Sequence, residues 1–228
     1  MSCISSLTVV LGNSVYQIPF ELQGVPIVNK FVARNMELKK MEEALLPRPT
    51  SHVRRKVFAL YGLGGMGKTQ LAVEFARMHK KSFSAVFWLD GSTRGRVEQS
   101  LAAIVRRLPQ EQISETSQRF SRGSGADLEA AIKDVLTWLN LPTNDKWLLV
   151  FDNVDRDDSA ELEDPDAFNP ETYFPSADQG SVLITTRLSR LEQLGSSWRL
   201  SGMSEDQGSD LLELRAGMPL SGKAETLS

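Results

Sequence analysis

The sequence has few of the residues that build disulfide, metal or membrane sites. Its single cysteine, Cys3, excludes an internal disulfide framework and a cysteine-rich metal site. The two histidines, His52 and His79, share no metal-ligand spacing. No apolar run approaches the roughly 18 residues of a membrane span. No basic segment precedes the short apolar stretch at residues 7–11, so a secretory signal is not predicted. We therefore expect a cytoplasmic protein without a membrane partner, and the nucleus stays open as an alternative.

A strong charge of either sign is also absent. The net charge is −3 and the isoelectric point about 5.6, so nucleic acid is not an expected partner. Basic residues cluster at 52–56, which we interpret as the solvated edge before a buried strand rather than a binding patch. The 228 residues are 41% hydrophobic and 24% charged. This composition is ordinary for a globular protein, and the length suits one large α/β domain or two small ones.

A glycine-rich motif at residues 62–69 is the most informative feature of the chain. Gly62, Gly67, Lys68 and Thr69 complete the pattern G-x-x-x-x-G-K-[ST], between an apolar run and an amphipathic helix pattern. Glycines let successive backbone N–H groups turn toward an anion, and the start of a helix adds its positive dipole end. We expect Lys68 to reach the β- and γ-phosphates and the Thr69 hydroxyl to hold Mg²⁺. The alternative is a glycine-rich turn without function.

A second box follows at residues 147–155. An uninterrupted apolar run predicts a strand buried on both faces of a parallel sheet, and Asp152 ends it at the edge where ligands bind. Asp152 is therefore predicted to hold Mg²⁺; the alternative is an aspartate that ends a strand at a turn. Asn153 stands where many ATP hydrolases have a glutamate, and an amide cannot accept a proton as a base. We predict slow or absent hydrolysis, with Asp155 as a possible substitute base.

A third box, at residues 180–187, is a strand that ends in Thr185, Thr186 and Arg187. An arginine at this edge can approach a γ-phosphate and report its presence. The residues themselves leave this interpretation and that of a surface arginine equally open.

Alternating helix and strand patterns predict an α/β fold, the three-layer α/β/α P-loop NTPase arrangement with a mainly parallel five-stranded sheet. Strands are predicted at residues 57–61, 84–89, 147–151, 181–185 and 198–200. Helices are predicted at residues 35–46, 97–108, 126–140 and 204–216, and loops at 109–125 and 156–175. As domains we expect an N-terminal arm at 1–25, a nucleotide-binding domain at 26–203, and a C-terminal helix and tail at 204–228.

Five segments in this order carry a family resemblance. Residues 62–69 (G-L-G-G-M-G-K-T) and 180–187 (G-S-V-L-I-T-T-R) are its specific motifs, and residues 31–38, 86–90 and 148–155 are suggestive ones. Together they cover about residues 26–200. The chain resembles the NB-ARC/NACHT-like nucleotide switches of the STAND class of P-loop ATPases, found in plant and fungal immune receptors and animal apoptosis regulators.

The resemblance implies ADP as the resting ligand and ATP as the activating one, with Mg²⁺. It implies that residues 32–34 lie against the adenine, mainly through the backbone, and that Arg187 senses the γ-phosphate. The nucleotide-binding residues are thus predicted as Val32, Ala33, Arg34, Gly62, Leu63, Gly64, Gly65, Met66, Gly67, Lys68, Thr69, Gln70 and Arg187. The catalytic residues are predicted as Lys68, Asp152, Asn153 and Arg187, and the metal ligands as Thr69 and Asp152.

The chain departs from the family at Ala33, Asn35 and Asn153, where glycine, glutamate and, in the plant form, a second aspartate are usual. The family continues into a helical domain with a G-L-P-L motif and then a winged helix, whereas residues 217–220 (G-M-P-L) come too soon after the last helix. We therefore expect a fragment or truncated protein that ends after the nucleotide-binding domain. Such a chain is expected to bind nucleotide weakly and exchange it fast.

The favoured interpretation is an ADP/ATP-binding switch module of an NLR-like signalling protein. Self-association or partner proteins would then act through the missing domains. The first alternative is a small P-loop ATPase or kinase, for which the loop at 109–125, with Arg119 and Arg122, is the one lid candidate. The second is an interaction scaffold that binds no nucleotide, which the presence of Lys68, Thr69 and Asp152 argues against.

Overall fold

The fold is taken from a computed structural model of the chain. It describes residues 18–21, 25, 31–32, 34–47, 54–123, 127–156, 164–203 and 205–216. In these ranges the strands are β1 (Lys56–Tyr61), β2 (Ala85–Asp90), β3 (Trp147–Asp152), β4 (Ser181–Thr186) and β5 (Ser196–Arg199). The helices are α1 (Asn35–Leu45), α2 (Lys68–Met78), α3 (Arg94–Ala103), α4 (Glu115–Ser121), α5 (Leu128–Leu139) and α6 (Glu205–Ala216). Short 3₁₀ helices lie at Ile104–Arg107, Gln110–Gln112, Pro170–Tyr173 and Ser189–Leu194.

The five strands form one sheet in the order β2-β3-β4-β1-β5, and every neighbouring pair is parallel. The carboxyl ends of all five strands therefore meet at one edge of the sheet. Because β1 lies between β4 and β5, the loop that follows β1 begins between the carboxyl ends of these two strands.

Successive residues of β3 point to opposite faces of the sheet, and both faces are covered. Leu148 and Val150 join the core on the side of α1 and α2. Trp147, Leu149 and Phe151 join the core on the side of α3 and α5. Helices on both faces of a parallel sheet explain why this strand is a continuous apolar run. The predicted three-layer α/β/α fold is thus confirmed.

The predicted strands and helices agree with the structure to within a few residues, with one clear exception. Residues 109–125 were expected to form a loop, but the structure has a 3₁₀ turn there and then α4. Ser114 caps α4 by accepting a hydrogen bond from the backbone N–H of Ser117 at 3.3 Å, and Glu115 lies in the first turn. A cap and an acidic first turn favour a helix even where the sequence is polar, so the prediction of a loop was wrong.

The N-terminal segment approaches the sheet at its β2 edge. The N–H of Ile18 donates to the carbonyl oxygen of Ser84, just before β2, at 2.9 Å. Most of the expected N-terminal arm, and residues 217–220, lie outside the described ranges. In the part of the chain that the structure describes, no helix is both long and apolar enough for a bilayer crossing.

Candidate functional site

The loop between β1 and α2 has the backbone shape that its glycines allow. Gly65 and Gly67 have φ angles of 78° and 88°, in the left-handed region that other residues enter only with strain. Gly67 caps α2, and its carbonyl oxygen accepts the first helical hydrogen bond, from Leu71 at 2.9 Å. The N–H groups of the first turn of α2 therefore point into the loop, where an anion is favoured.

Lys68 is the first residue of α2, and its ammonium group lies inside the loop. Nζ donates to the carbonyl oxygens of Gly62 at 2.8 Å and Leu63 at 2.9 Å. Burial lowers the pKa of Lys68; the carboxylate of Asp155 opposes this and Arg187 reinforces it. An ammonium group has three donors, so a third N–H is left for a ligand while the other two hold the loop.

Asp152, at the end of β3, faces the first turn of α2. Its Oδ1 accepts hydrogen bonds from the hydroxyls of Thr69 at 2.8 Å and Thr185 at 2.5 Å. Burial raises the pKa of Asp152, while hydrogen bonds from Thr185, Thr69 and the indole of Trp88 act against that rise. Asp90, its neighbour in register on β2, adds to the rise. A carboxylate and a hydroxyl in contact are oxygen ligands of the kind that Mg²⁺ takes.

Asn153 follows Asp152 in a sharp turn. Its φ angle is 66°, a left-handed conformation that asparagine tolerates better than most residues. Its backbone N–H donates to Oγ1 of Thr185 at 2.9 Å. The next carboxylate along the chain, that of Asp155, forms an ion pair with Arg187 at 2.8 Å. Asp155 is therefore engaged with an arginine and is not positioned as a free base.

A cavity of about 300 Å³ joins the three boxes of the sequence at the carboxyl edge of the sheet. Its lining residues are Gly64, Gly65, Gly67, Lys68, Thr69, Gln70, Asn153, Thr185 and Arg187. A larger cavity of about 450 Å³ lies beside β2, between residues 18–20 and 80–86, and contains none of the predicted site residues. The smaller cavity is the candidate site because its chemistry, not its volume, matches a phosphate.

Some predicted residues lie outside this lining. Val32 is half-buried and Ala33 lies beyond the described ranges. Arg34 is almost completely buried, and its guanidinium donates to the carbonyl oxygens of Met66 at 3.3 Å and Ser201 at 3.1 Å. Its side chain therefore ties the phosphate loop to the segment after β5. Gly62, Leu63 and Met66 form the rest of that loop.

Three interactions of the site were not predicted from the sequence. They involve the Thr185 hydroxyl, the indole of Trp88 and the ion pair of Asp155. Trp88 lies diagonally across from Asp152 on the same face of the sheet, a relation that only the register of β2 and β3 reveals. The signal for Asp155 was its charge, which is opposite to that of Arg187, the residue directly after the neighbouring strand β4.

Comparisons with known proteins identify the family of the chain. The NB-ARC domain matches residues 34–220. A nucleotide-binding leucine-rich repeat (NLR)-like protein of Hyaloscypha variabilis (strain UAMH 11265 / GT02V1 / F) is 29% identical over 167 residues, which are 70% of this chain and 16% of that protein. The chain thus spans only a small part of this relative's length.

Solved structures show the same fold at low identity. A STAND protein with a tetratricopeptide repeat sensor from Pyrococcus horikoshii has a TM-score of 0.50 and 20% identity, over 87% of this chain and 28% of that one. Cdc6p from Pyrobaculum aerophilum has a TM-score of 0.55 and 16% identity, over 92% of this chain and 55% of that one. Since the NB-ARC match covers most of the sequence and contains all three boxes of the site, the chain belongs to the NB-ARC domain family.

Proposed function

We propose that the chain binds ADP and ATP in the cavity after β1 and acts as the nucleotide-switch module of an NLR-like signalling protein. One observation carries the proposal. Lys68 and Thr69 of the first box and Arg187 of the third line one cavity, and Asp152 of the second box contacts Thr69. Backbone N–H groups, a lysine and an arginine around one space are the groups that bind a chain of phosphates.

Each residue has a distinct part in this proposal. The N–H groups of the loop and of the first turn of α2 bind phosphate oxygens, and Lys68 adds its remaining N–H. Thr69 and Asp152 would hold Mg²⁺, which, when bound, neutralises charge between the β- and γ-phosphates. Arg187 reads whether a γ-phosphate is present. Residues 32–34 lie against the adenine through the backbone, since the side chain of Arg34 is committed to Met66 and Ser201.

We also propose that hydrolysis is slow or absent. Asn153 lines the cavity but has no basic group, and the carboxylate of Asp155 is paired with Arg187. A turnover of several ATP per second by the purified chain would contradict this part of the proposal.

The same proposal covers the organisation of the chain. Residues 26–203 would form the nucleotide-binding domain, with an arm at 1–25 and the start of a helical domain at 204–228. We propose a cytoplasmic setting, and self-association or partner proteins acting through further domains. The chain's relation to the much longer NLR-like relative supports this view of one module among several.

The kinase alternative finds no support in the cavity lining. Arg119 lies on α4, where it pairs with Glu115 at 3.5 Å, and α4 packs against α5. Neither Arg119 nor Arg122 is among the lining residues.

The deciding experiment is calorimetric titration of the 228-residue chain with ADP and with ATP in the presence of Mg²⁺. We expect binding of both nucleotides and its loss in Lys68→Ala. Lys80→Ala removes an exposed lysine beyond the far end of the same helix and should bind as the unchanged chain does. A folded sample that shows neither binding heat nor a thermal shift with either nucleotide would refute the proposal.

A further inference from the structure

One carboxylate connects the segments that follow β3 and β4. Oδ1 of Asp155 accepts the backbone N–H of Arg187 at 2.7 Å, and Oδ2 lies 2.8 Å from Nε of the same residue. The turn at Asn153 brings Asp155 to this place, and the N–H of Val154 donates to the carbonyl oxygen of Thr185 at 2.9 Å. Asp155 is mostly buried, with 20% of its side chain exposed, so its own conformation is restricted.

The guanidinium of Arg187 lies against the phosphate loop. A Cβ atom built on Gly64 would lie 3.3 Å from Cζ of Arg187 and 3.5 Å from both Nε and Nη2. Arg187 lines the cavity, and 61% of its side chain is exposed. The guanidinium of Arg187 therefore lies beside the backbone of the loop, and the end of this side chain reaches the cavity.

The pair uses only part of the arginine. A guanidinium has five N–H donors in a fixed planar fork, and Asp155 contacts the single one on Nε. The terminal nitrogens are the part that forms bidentate contacts with phosphate oxygens. A phosphate can therefore bind Arg187 without breaking the pair with Asp155.

We propose that Asp155 is a positioning residue for Arg187, the side chain that contacts the γ-phosphate. It fixes Arg187 through Nε and the backbone N–H, so that the terminal nitrogens face the cavity. This inference rests on the proposed function, because only bound ATP gives Arg187 a γ-phosphate to contact. It makes the pair a preorganised unit, in which the arginine side chain is ordered before the nucleotide arrives. The affinity for ATP relative to ADP then depends on Asp155 even though Asp155 touches neither nucleotide.

The ratio of the two affinities is the required readout. Asp155 carries a negative charge near a phosphate site, so its removal increases the attraction for both nucleotides, and more for ATP, which has the additional negative charge. Its removal also frees the arginine, which must then be ordered on binding ATP only. Ordering one rotamer-rich side chain lowers affinity about two- to tenfold, and this loss affects the ratio but not ADP binding. A fall in the ratio therefore opposes the electrostatic effect and reports the lost positioning of Arg187.

The test is calorimetric titration of the full chain with ADP and with ATPγS in the presence of Mg²⁺. The set comprises the unchanged chain, Asp155→Ala, Arg187→Ala and the double variant. We expect the ATPγS/ADP affinity ratio to fall about two- to tenfold in Asp155→Ala. The fall should be larger in Arg187→Ala, and the double variant should match Arg187→Ala. Asp155→Asn keeps one oxygen acceptor and should give an intermediate ratio, and it carries the test if Asp155→Ala does not fold.

Asp166→Ala is the matched control, because Asp166 also pairs with an arginine, Arg156 at 3.7 Å, but does not line the cavity. It should leave the ratio unchanged. An unchanged ratio in Asp155→Ala and Asp155→Asn, or independent effects that add in the double variant, would overturn the inference while the proposed function stood. Absence of binding, or equal affinities, in the unchanged chain would instead refute the proposed switch itself, and the inference with it.

Discussion

The hydroxyl of Thr69 lies 2.8 Å from Oδ1 of Asp152, which joins the first turn of α2 to the end of β3 across 83 positions of sequence. The same oxygen accepts a second hydroxyl, that of Thr185, from β4. A partly buried carboxylate on β3 thus contacts two further elements, α2 and β4, at the place where the nucleotide site begins. The effect of the Asp152 charge on the stability of the fold can be measured separately from its effect on nucleotide binding.

Asp152→Asn is expected to leave the free energy of unfolding at pH 7.5 equal or higher, while weakening Mg²⁺-dependent nucleotide binding. The folded-state pKa of Asp152 is raised by burial, so its contribution to stability is present at low pH and lost as pH rises through the raised value. The neutral amide avoids this loss. Urea unfolding over a series of pH values from 3.5 to 7.5 should show the variant gaining relative to the unchanged chain as the pH rises.

Asp134→Asn supplies a control of opposite sign. Burial alone would raise the pKa of Asp134, but hydrogen bonds from Ser114 and Ser117 outweigh it, and the pKa is lowered. The stabilising effect of this carboxylate is therefore present at neutral pH and lost as pH falls. We expect Asp134→Asn to unfold more easily at pH 7.5. A less stable Asp152→Asn at that pH would show that burial of its charge is fully compensated in the fold.

Asn153→Asp is expected to raise the rate of ATP hydrolysis. The residue lines the cavity, and its left-handed backbone, with a φ of 66°, is one that aspartate also tolerates. A new carboxylate there adds a general base. We expect a rate increase of up to about 10²-fold, which is the smallest effect that general bases usually have. Phosphate release under saturating ATP and Mg²⁺ measures it. Asn153→Ala should not raise the rate, and an unchanged rate in Asn153→Asp would show that a base is not what the site lacks.

Gly180→Ala is expected to destabilise the fold by at least about 2 kcal/mol, because a left-handed residue and an overpacked core are both costly. Gly180 has a φ of 74°, and an added Cβ would overlap the indole of Trp147. That ring cannot withdraw, since it is fully buried and its Nε1 donates to the carbonyl oxygen of Leu139 at 3.0 Å. Urea unfolding measures the loss.

Gly95→Ala is the matched control for the glycine. It lies in α3, and an added Cβ would meet no atom within 4 Å. We expect it to stabilise the chain by about 0.5–1 kcal/mol, the difference between alanine and glycine in a helix. Equal unfolding curves for the two variants would contradict the packing at Trp147.

Arg107→Ala is expected to release residues 18–21 from the β2 edge. The guanidinium donates to the carbonyl oxygens of Pro19 at 2.5 Å and of Val86, on β2, at 3.3 Å, and it lies 5.0 Å from the ring of Phe87. Hydrogen exchange should become faster in a peptide that contains Ile18 and stay unchanged in the phosphate loop. Arg106→Ala is the control, because Arg106 lies over the Phe120 ring, on α4. Unchanged exchange near Ile18 would assign that segment's attachment to other contacts.

Short-range sequence patterns were sufficient to predict the strands, most helices and the phosphate loop. The backbone of Gly65 and Gly67, the position of Lys68 and the end of β3 at Asp152 all follow from residue type and spacing within a short window. The polar helix α4 was missed because its sequence has little apolar periodicity, although Ser114 and Glu115 supply a cap and an acidic first turn.

The contacts between boxes needed the structure. The Asp155–Arg187 pair spans 32 positions, and the contacts of Arg34 with Met66 and Ser201 span 32 and 167. Such contacts depend on which strands are neighbours and on how each turn directs its side chains. No local pattern contains that information, so the sequence placed Arg187 at the correct edge without revealing what orients it.

The position of β1 between β4 and β5 has a consequence for synthesis of the chain. The strand that carries the phosphate loop leaves the ribosome early, but both of its neighbours are made only after residue 180. A nascent polypeptide that stops before β4 lacks the scaffold that holds this loop in shape. Retention of ribosome-attached chains on immobilised nucleotide should therefore begin only once translation has passed Arg199.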